Sequence, residues 1–356
     1  MSRVVVGMSG GVDSSVAAYL LKEQGHEVIG VTMQIWQEEA REFQEENGGC
    51  CGLSAVEDAR RVAAKLDIPY YVMNFRQEFQ TQVIDYFMEE YLQGRTPNPC
   101  IACNRHVKWE ALLTRSLAIG ADYIATGHYA RVEQLPDGRY SIRRSAVPAK
   151  DQTYALYSLT QEQLRRTLMP VGDFSKEEIR RIAEKIGLGV AEKPDSQDIC
   201  FVPNGDYASF IEKHAGREIP KGNFVTADGR VLGPHKGIIH YTVGQRKGLG
   251  LALGYPAFVL EIRPDTREVV IGNYEESLAE SLTVSDLNFM SVEDLEKPRR
   301  VFVKIRYNHK GVWGRIEKTG ADQVTCTFEE PQRAVTPGQA AVFYDGEYIL
   351  GGGRIK

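Results

Sequence analysis

Residues 4–15, VVVGMSGGVDSS, decide the fold of the first part of the chain. The three valines predict a buried strand, and the adjacent glycines predict a turn in which the backbone can approach a ligand closely. The apolar spacing of residues 14–24 predicts that this turn opens a helix. Because the N–H groups at the start of a helix converge and favour an anion, the stretch predicts a phosphate-binding turn.

Polar side chains within the turn extend this prediction. The hydroxyl groups of Ser9, Ser14 and Ser15 are further donors, and Asp13 is expected to cap the helix or to help position a metal ion. The Gly-Lys-Ser/Thr ending of a Walker loop does not follow. Residues 9–14, SGGVDS, instead resemble the PP-loop of ATP pyrophosphatases, which implies cleavage of ATP between the α and β phosphates. The alternative is a glycine turn that only caps a helix.

Composition limits the class of protein. A chain of 356 residues predicts two or three domains, and 42% hydrophobic with 26% charged residues is typical of a soluble globular protein. A net charge of −5 argues against non-specific coating of nucleic acid and still allows a local basic groove. We find no apolar run of about 20 residues and no signal-peptide pattern, so we expect a cytoplasmic protein without a membrane partner.

A parallel sheet is the predicted scaffold of the first half. Runs at 27–33, 70–74 and 121–129 are predicted strands, and 54–66 and 78–92 are predicted helices. Ligands of such sheets bind beyond the carboxyl ends of the strands. We therefore expect the phosphate turn, Met33, Gly127 and His128 to face one site. His128 is interpreted either as a core histidine or as a contact to RNA or phosphate.

Clustered cysteines are the second chemical signal. In a reducing compartment, six cysteines are too few for a disulfide scaffold and favour catalysis, redox chemistry or metal binding. Cys100 and Cys103 form a C-x-x-C just before a helix predicted to resume near His106, where nearby basic residues should lower a thiol pKa. Alone, this motif also fits half a zinc site or a redox pair. The adjacent residues 50–51, both cysteine, indicate either a tight turn beside the active site or a metal site.

The second half has a different character. From about Gly205 the helical patterns give way to short β-rich runs with glycine turns, and about six strands from Leu282 onward predict a small β-barrel. Residues 241–250 are basic and are expected either to contact a phosphate backbone or to form a surface loop. Arg306 and Tyr307 place a cation beside a ring that can stack on a base, although a strand-edge aromatic is the alternative.

Taken in order, the motifs resemble the tRNA-specific 2-thiouridylase family along the whole chain. The resemblance implies an α/β fold, a parallel-sheet PP-loop domain of the adenine nucleotide α-hydrolase type at 1–204. It is followed by a small central tRNA-contacting domain at 205–279 and a C-terminal β-barrel domain at 280–356. The motifs that carry the resemblance are residues 7–14, 94–99 with 103–104, 125–129, 150–152, 195–196 with 199–201, and 242–250.

The resemblance also implies an activity. The family uses ATP and Mg²⁺ to adenylate the C2 oxygen of the wobble uridine in lysine, glutamate and glutamine tRNAs. Sulfur transfer then gives 2-thiouridine, AMP and pyrophosphate, so the enzyme is a tRNA-uridine 2-sulfurtransferase. The implied partners are the anticodon arm of tRNA and a cysteine desulfurase or sulfur carrier. The uridine would be flipped out toward the PP-loop.

Site residues follow from the same resemblance. Cys200 would carry a persulfide, and Cys103 would help to release its sulfur, leaving a Cys103–Cys200 disulfide for a reductant to open. The implied ATP-binding residues are Gly7, Met8, Ser9, Gly10, Gly11, Val12, Asp13, Ser14, Met33 and Gly127. The implied tRNA-binding residues are Asn98, Pro99, Cys100, His128, Lys150, Asp151, Gln152, Arg306, Tyr307 and Gln339.

One position departs from the family pattern. Many members have an aspartate, a candidate acid or base, where this chain has Cys100. Cys100, Cys103 and Cys200 would suffice to hold a [4Fe–4S] cluster with one iron open to sulfide, and zinc is a further alternative. We take the persulfide route as the prediction and the cluster as its alternative.

Two other functions stay open at this point. A different PP-loop ligase or amidotransferase, such as an argininosuccinate or GMP synthetase relative, would not need Cys103 or Cys200. A non-enzymatic, ATP-dependent RNA-binding module would bind ATP and tRNA but release neither AMP nor pyrophosphate.

Overall fold

The computed structural model describes residues 1–35, 53–193, 199–202, 205–216 and 218–356. Cys50, Cys51, Asp195 and Ser196 lie outside these residues. The chain divides into two compact units. The first comprises residues 1–83, 100–205 and 347–349, and the second comprises residues 84–99, 206–346 and 350–356.

The first unit is built on a parallel sheet. Its strand order is β3-β2-β1-β4-β7, so β1 lies at the centre and its valines are fully buried. The unit also contains a hairpin in which β5 and β6 pair antiparallel, and β6 pairs in turn with β17 at Tyr348. The strands are β1 Arg3–Gly7, β2 Glu27–Gln34, β3 Tyr70–Asn74, β4 Tyr123–Ala125, β5 Ala130–Gln134, β6 Tyr140–Arg144 and β7 Thr167–Leu168.

Helices connect and cover these strands. Thr160 and Ser175 each form a capping box with the residue three positions on, which fixes where α7 and α8 begin. The α-helices are α1 Val12–Glu23, α2 Leu53–Lys65, α3 Arg76–Phe79, α4 Tyr86–Leu92, α5 Pro99–Ala102, α6 Leu113–Ala118, α7 Gln161–Arg165, α8 Lys176–Lys185 and α9 Tyr207–His214. Two π-helices, π1 Gln80–Asp85 and π2 Cys103–Leu112, and four short 3₁₀ turns, Pro148–Lys150, Thr153–Leu156, Ile238–His240 and Glu275–Ser277, complete the set within the described residues.

The apolar core of the first unit lies between the sheet and α1, α2 and α8. Val6 of β1, Val16 of α1, Ala59 of α2 and Ile179 of α8 belong to one buried cluster. Burial of such side chains contributes about 25 cal/mol per Å² of apolar surface removed from water. This packing holds the start of α1 against the carboxyl end of β1.

The second unit contains two β-structures. One is a four-stranded sheet with the order β10-β11-β8-β9. The other is a barrel of six strands in the order β12-β15-β14-β13-β16-β17, closed by pairing of β12 with β17. The strands are β8 Gly222–Val225, β9 Val231–His235, β10 Phe258–Arg263, β11 Glu268–Gly272, β12 Leu278–Phe289, β13 Arg299–Lys304, β14 Val312–Gly320, β15 Gln323–Arg333, β16 Ala340–Asp345 and β17 Tyr348–Ile355.

The predicted fold class is confirmed, and two local predictions were wrong. The helix after the prolines begins at Pro99 rather than near His106, since proline suits the first helical position. The segment predicted as a helix at 78–92 is helical throughout, with π1 between its two α-helical parts. The strand predicted at 121–129 is limited to β4, because the chain leaves the sheet where Gly127 packs against the start of α1. Within the described residues, no helix is both long and apolar enough to cross a membrane.

Candidate active site

The turn between β1 and α1 is fixed by its own serines. The Ser9 N–H donates to Ser14 Oγ at 3.1 Å, and the Ser14 hydroxyl donates to the Gly11 carbonyl at 3.2 Å. The Ser15 hydroxyl donates to the same carbonyl at 2.8 Å. These bonds hold the carbonyl of Gly11 on the helix side of the turn, so the N–H of Val12, which is antiparallel to it in the planar peptide, points to the open side.

Lys193 orients the neighbouring peptide in the same way. Its ammonium donates to the Gly10 carbonyl at 3.2 Å and to Asp58 Oδ2 of α2 at 2.9 Å. The Gly11 N–H therefore points away from Lys193. Gly10 has a φ of +69° and lies against α2, where a Cβ would be 2.3 Å from the Ala55 carbonyl oxygen. Only glycine fits both the conformation and the contact.

The start of α1 offers backbone donors to a ligand. Gly11 is the N-cap of α1 and supplies no side-chain cap, so the first N–H groups of the helix are available to a ligand. Converging backbone N–H groups at a helix N-terminus are a known form of anion site. The polar atoms of this turn therefore suit a phosphate group.

Asp13 does not cap the helix, contrary to one of the two roles expected for it. Its two carboxylate oxygens each accept from the Lys176 ammonium at 2.8 Å, and Oδ1 also accepts from the Tyr129 hydroxyl at 2.6 Å. Lys176 is buried, so this ion pair is held in a largely water-excluded position. The pair joins the first turn of α1 to the start of α8 and to the residue that precedes β5.

Gly127 and His128 follow β4, and Gly127 lies against the phosphate turn. A Cβ on Gly127 would lie 2.6 Å from the Ser14 nitrogen, so the two backbones are in close contact. His128 Nδ1 lies 2.7 Å from Thr126 Oγ1, and its Nε2 lies 3.5 Å from the Lys108 ammonium. Because an ammonium only donates, Nε2 is the acceptor and Nδ1 carries the proton. Burial, and next to it the charge of Lys108, hold the pKa of His128 well below its usual value.

Met33, the remaining predicted nucleotide contact, lies in β2 beside Met73 of β3 in the parallel register. Met8, in the phosphate turn, donates its N–H to the Val31 carbonyl of the same strand at 2.8 Å. The carboxyl ends of β1, β2 and β4 therefore lie side by side, as ligand binding at this edge requires.

The two predicted catalytic cysteines both lie in the first unit. Cys103 is the first residue of π2, and Cys200 lies in a turn; both are partly exposed. Phe201, next to Cys200, packs edge-on against Phe79 of α3 with 5.8 Å between ring centroids. Since α3 also packs against π2, the two cysteine-bearing segments contact a common element.

The cluster alternative lacks a ligand set in this structure. Cys100 is exposed, whereas Cys103 and Cys200 are partly exposed. Among the residues that the structure describes, no group of three or more His, Cys, Asp or Glu side chains is placed to hold a metal ion. These three cysteines are therefore not gathered as the ligands of an iron–sulfur cluster or a zinc ion.

The predicted RNA-binding residues of the first unit shape its backbone. The Tyr129 N–H donates to Gln152 Oε1 at 2.9 Å, and Gln152 N–H donates back to the Tyr129 carbonyl at 3.1 Å. Asp151 accepts from the N–H and the hydroxyl of Thr153 at 3.2 and 3.0 Å. Lys150 ends a 3₁₀ turn and is partly exposed. The two polar side chains thus order the segment on which Lys150 lies.

The predicted RNA-binding residues of the second unit occupy two places. The Gln339 amide donates to the carbonyls of Thr96 and Pro97 at 3.0 and 3.2 Å, and so holds the loop that leads to Asn98 and Pro99. Arg306 and Tyr307 follow β13. The Arg306 guanidinium donates to the Arg333 carbonyl at 3.3 Å, and Tyr307 is 41% exposed, with the Lys304 ammonium 5.9 Å from its ring centre. An exposed ring among cations suits contact with RNA.

Sequence reasoning missed Lys176, Lys193 and Asp58. None of them lies in the phosphate turn: Lys176 and Lys193 donate to its residues from α8 and from a loop, and Asp58 of α2 accepts from Lys193. Lys176 stands directly after a capping serine and reads as an ordinary first-turn residue of an amphipathic helix. Only Lys193 carried a signal, since it begins the polar stretch that ends at Cys200.

Three family profiles match successive parts of the chain. Family profiles match residues 2–204 ("tRNA methyl transferase HUP domain"), 208–273 ("tRNA methyl transferase PRC-barrel domain") and 279–355 ("Aminomethyltransferase beta-barrel domain").

Curated relatives match along the whole chain. The tRNA-specific 2-thiouridylase MnmA of Lachnoclostridium phytofermentans is 66% identical over 355 residues, covering 100% of this chain and 99% of the relative. The proteins of the same name from Clostridium perfringens and Carboxydothermus hydrogenoformans are 57% and 56% identical. Both matches cover 99% of this chain. They cover 98% of the Clostridium perfringens protein and 97% of the Carboxydothermus hydrogenoformans protein. By this identity along nearly its full length, the chain belongs to the tRNA-specific 2-thiouridylase family.

Proposed function

We propose that this chain is an ATP-dependent tRNA-uridine 2-sulfurtransferase. It adenylates the C2 oxygen of the wobble uridine in lysine, glutamate and glutamine tRNAs and then transfers sulfur to C2. The observation that carries the proposal is the presence, in one unit, of a helix start at Gly11 without a side-chain cap and of two cysteines, Cys103 and Cys200. A phosphate site and a thiol pair are the two parts that this chemistry needs.

The first step makes the uridine oxygen a leaving group. The C2 oxygen attacks the α-phosphorus of ATP, the bond from the α-phosphorus to the bridging oxygen breaks, and pyrophosphate leaves. The N–H groups of Gly11 and Val12 stabilise the charge on the departing pyrophosphate. Magnesium usually binds through phosphate oxygens and water with few protein ligands. We propose that it arrives with ATP, and we assign it no carboxylate, because Asp13 is engaged by Lys176.

The second step transfers sulfur. The terminal sulfur of a Cys200 persulfide attacks C2 and AMP leaves, so that C2 and Cys200 are joined through two sulfurs. The Cys103 thiolate attacks the Cys200 sulfur and forms the Cys103–Cys200 disulfide, and the electron pair of the broken S–S bond stays on the sulfur bound to C2. A reductant then restores both thiols, and a cysteine desulfurase or sulfur carrier renews the persulfide.

The remaining residues are proposed as RNA contacts. Lys150 and His128 in the first unit, and Arg306 and Tyr307 in the second, would meet the anticodon arm. Asp151, Gln152 and Gln339 would act through the loops that they hold, which include Asn98, Pro99 and Cys100. A tRNA substrate makes the cytoplasm the proposed location. We retain 1–204, 205–279 and 280–356 as the proposed domains.

The test is formation of 2-thiouridine in purified tRNA with ATP and a persulfide donor. We expect one AMP and one pyrophosphate per 2-thiouridine, and modification of lysine, glutamate and glutamine tRNAs but not of a tRNA without a wobble uridine. Cys103→Ala and Cys200→Ala should abolish product, whereas Cys100→Ala, which removes a thiol from the proposed tRNA-binding loop but not from the sulfur-transfer pair, should lower tRNA affinity at most and retain product formation. Product that survives loss of Cys200 contradicts the persulfide route, and ATP binding without AMP release indicates a binding module.

Iron and acid-labile sulfide, measured after anaerobic purification, separate the two sulfur routes. We expect no stoichiometric iron, because Cys100, Cys103 and Cys200 form no ligand group. About four irons per chain that are lost in Cys100→Ala would replace the persulfide scheme by a cluster.

A further inference from the structure

Lys108 is a partly buried cation whose neighbours are neutral. Its ammonium donates to Asn104 Oδ1 at 2.9 Å and lies 3.5 Å from His128 Nε2. In the described part of the chain, no carboxylate forms an ion pair with Lys108. Holding an ammonium away from water without a counter-charge costs free energy. An anionic ligand would offset that cost.

The neighbours of Lys108 hold its ammonium in one place. Asn104 is buried, and its amide donates to the Ala155 carbonyl at 2.9 Å, so its Oδ1 faces Lys108. His128 is held on its other side by Thr126 and packs beside the buried ring of Trp109, with 5.5 Å between ring centroids. Two acceptors fix two of the three ammonium hydrogens. The third has no acceptor among the described residues.

Lys108 is linked through the structure to both the phosphate turn and Cys103. It is five residues after Cys103 in π2, where 4 to 5 residues complete a turn, so both lie toward one side of that helix. Its other contact, His128, follows Gly127, whose backbone lies against that of Asp13 and Ser14. An anion bound by Lys108 would therefore lie where the nucleotide and the reacting sulfur meet.

We propose that Lys108 binds the α-phosphate of ATP and keeps that contact when the phosphate becomes the leaving AMP. The proposal rests on the function proposed above. The N–H groups at the start of α1 suit the β and γ phosphates, and the α-phosphate must lie between them and the uridine that Cys103 and Cys200 serve. Lys108 forms and breaks no covalent bond. It stabilises the negative charge that stays on AMP when sulfur displaces it.

The experiment compares three ligands by titration calorimetry with the full chain: AMP, adenosine and Mg²⁺-pyrophosphate. The variants are Lys108→Met, which keeps the length of the side chain, and Lys108→Arg, which keeps its charge. Lys185→Met, on the exposed face of α8, is the control for loss of a lysine. A thermal unfolding midpoint for each variant reports whether it folds.

Lys108→Met should weaken AMP binding about tenfold or more, as expected for loss of a charge-assisted hydrogen bond. It should leave adenosine and pyrophosphate affinities within twofold of wild type, and Lys108→Arg should restore most of the AMP affinity. Equal AMP affinity in Lys108→Met and wild type overturns the proposal. So does selective loss of pyrophosphate binding, which would assign Lys108 to the other phosphates.

These titrations, together with the 2-thiouridine assay and a titration with tRNA, keep the two proposals apart. A wild-type chain that binds AMP through Lys108 and makes no 2-thiouridine contradicts the proposed function and leaves the Lys108 site standing. If Lys108→Met binds AMP normally but loses affinity for tRNA, the ammonium serves an RNA phosphate, and the α-phosphate assignment is wrong.

Discussion

Gly127 has no space for a side chain, because its backbone lies against the first turn of α1. A Cβ there would lie 2.6 Å from the Ser14 nitrogen and 2.7 Å from the Asp13 carbonyl carbon, both backbone atoms that cannot rotate away. The close contact lets the end of β4 touch the first turn of α1. The site therefore depends on the absence of a Cβ at Gly127 as well as on its charged side chains.

Gly127→Ala should therefore lower both stability and nucleotide affinity. Overpacking against backbone typically costs about 1–3 kcal/mol of unfolding free energy, and here relief of the clash must displace the start of α1. Urea unfolding and ATP titration measure the two effects. Gly189→Ala is the matched control, because a Cβ at Gly189 has no atom within 4 Å. Equal effects of the two substitutions would contradict this account.

Among the elements, α2 has a role that its amphipathic pattern does not reveal. Ala55 supports Gly10, and Asp58 receives Lys193, which also holds the Gly10 carbonyl. The helix thus orients the peptide whose N–H is offered to the phosphate. It does so without any contact of its own with the proposed ligand site.

Lys193→Met should weaken ATP binding because the Gly10–Gly11 peptide loses the hydrogen bond that orients it. The expected loss of affinity is roughly tenfold, which corresponds to the free energy of one charge-assisted hydrogen bond. The thermal midpoint should change little, since the side chain is partly exposed. Lys193→Arg should recover part of the affinity. Lys65→Met provides the control, as Lys65 also donates to a carbonyl from α2, that of Gly187, at 2.6 Å. An unchanged ATP affinity would show that the turn holds its shape unaided.

The sequence predicted most elements from their periodicity, and it failed where tertiary contacts decide. The strand at 70–74 was predicted closely because a short aromatic and β-branched run is a local signal. The π-helical form of residues 103–112 was not predictable. A π-helix needs support from the surrounding structure, and it is found most often at functional sites.

The same contrast between local signals and tertiary contacts applies to the residues of the candidate site. The edge residues of the sheet were predictable, because strand ends and glycines are visible in the sequence. Lys176 and Lys193 were not, because their partners Asp13 and Gly10 are 163 and 183 residues away. Which lysine meets which carboxylate depends on the packing of α8 and α2, and no local pattern encodes it.

At the scale of the whole molecule, three partly or fully buried histidines share a property. Burial is the largest cause that lowers the pKa of His128 in the first unit and of His235 and His309 in the second. Each ring also accepts or donates specific bonds; for example, the Gly237 N–H donates to His235 Nδ1 at 3.0 Å. Protonation of that nitrogen would break the bond.

Stability should consequently fall as pH is lowered from 7.5 to 5.5. The unfolded chain takes up protons near the ordinary histidine pKa of 6.5, whereas the folded chain resists them, so protons favour the unfolded state. The stability that the three neutral histidines contribute is complete above the ordinary histidine pKa and is lost as the pH falls below it. Urea unfolding at several pH values measures the slope, which His235→Gln should make shallower. A flat or rising stability in this window would refute the prediction.

The pairing of Arg143 with Glu347 has a consequence for biosynthesis. The Arg143 guanidinium binds a carboxylate 204 residues later in the chain, and Tyr348 of β17 pairs with Arg143 of β6. Within the second unit, the buried carboxylate of Glu90 accepts a hydrogen bond from Arg354, which lies 264 residues later in the chain. A nascent chain must therefore keep both units incomplete until the ribosome has read past these late codons. We therefore expect the yield of folded protein to fall when translation elongation is slow or when chaperones are depleted.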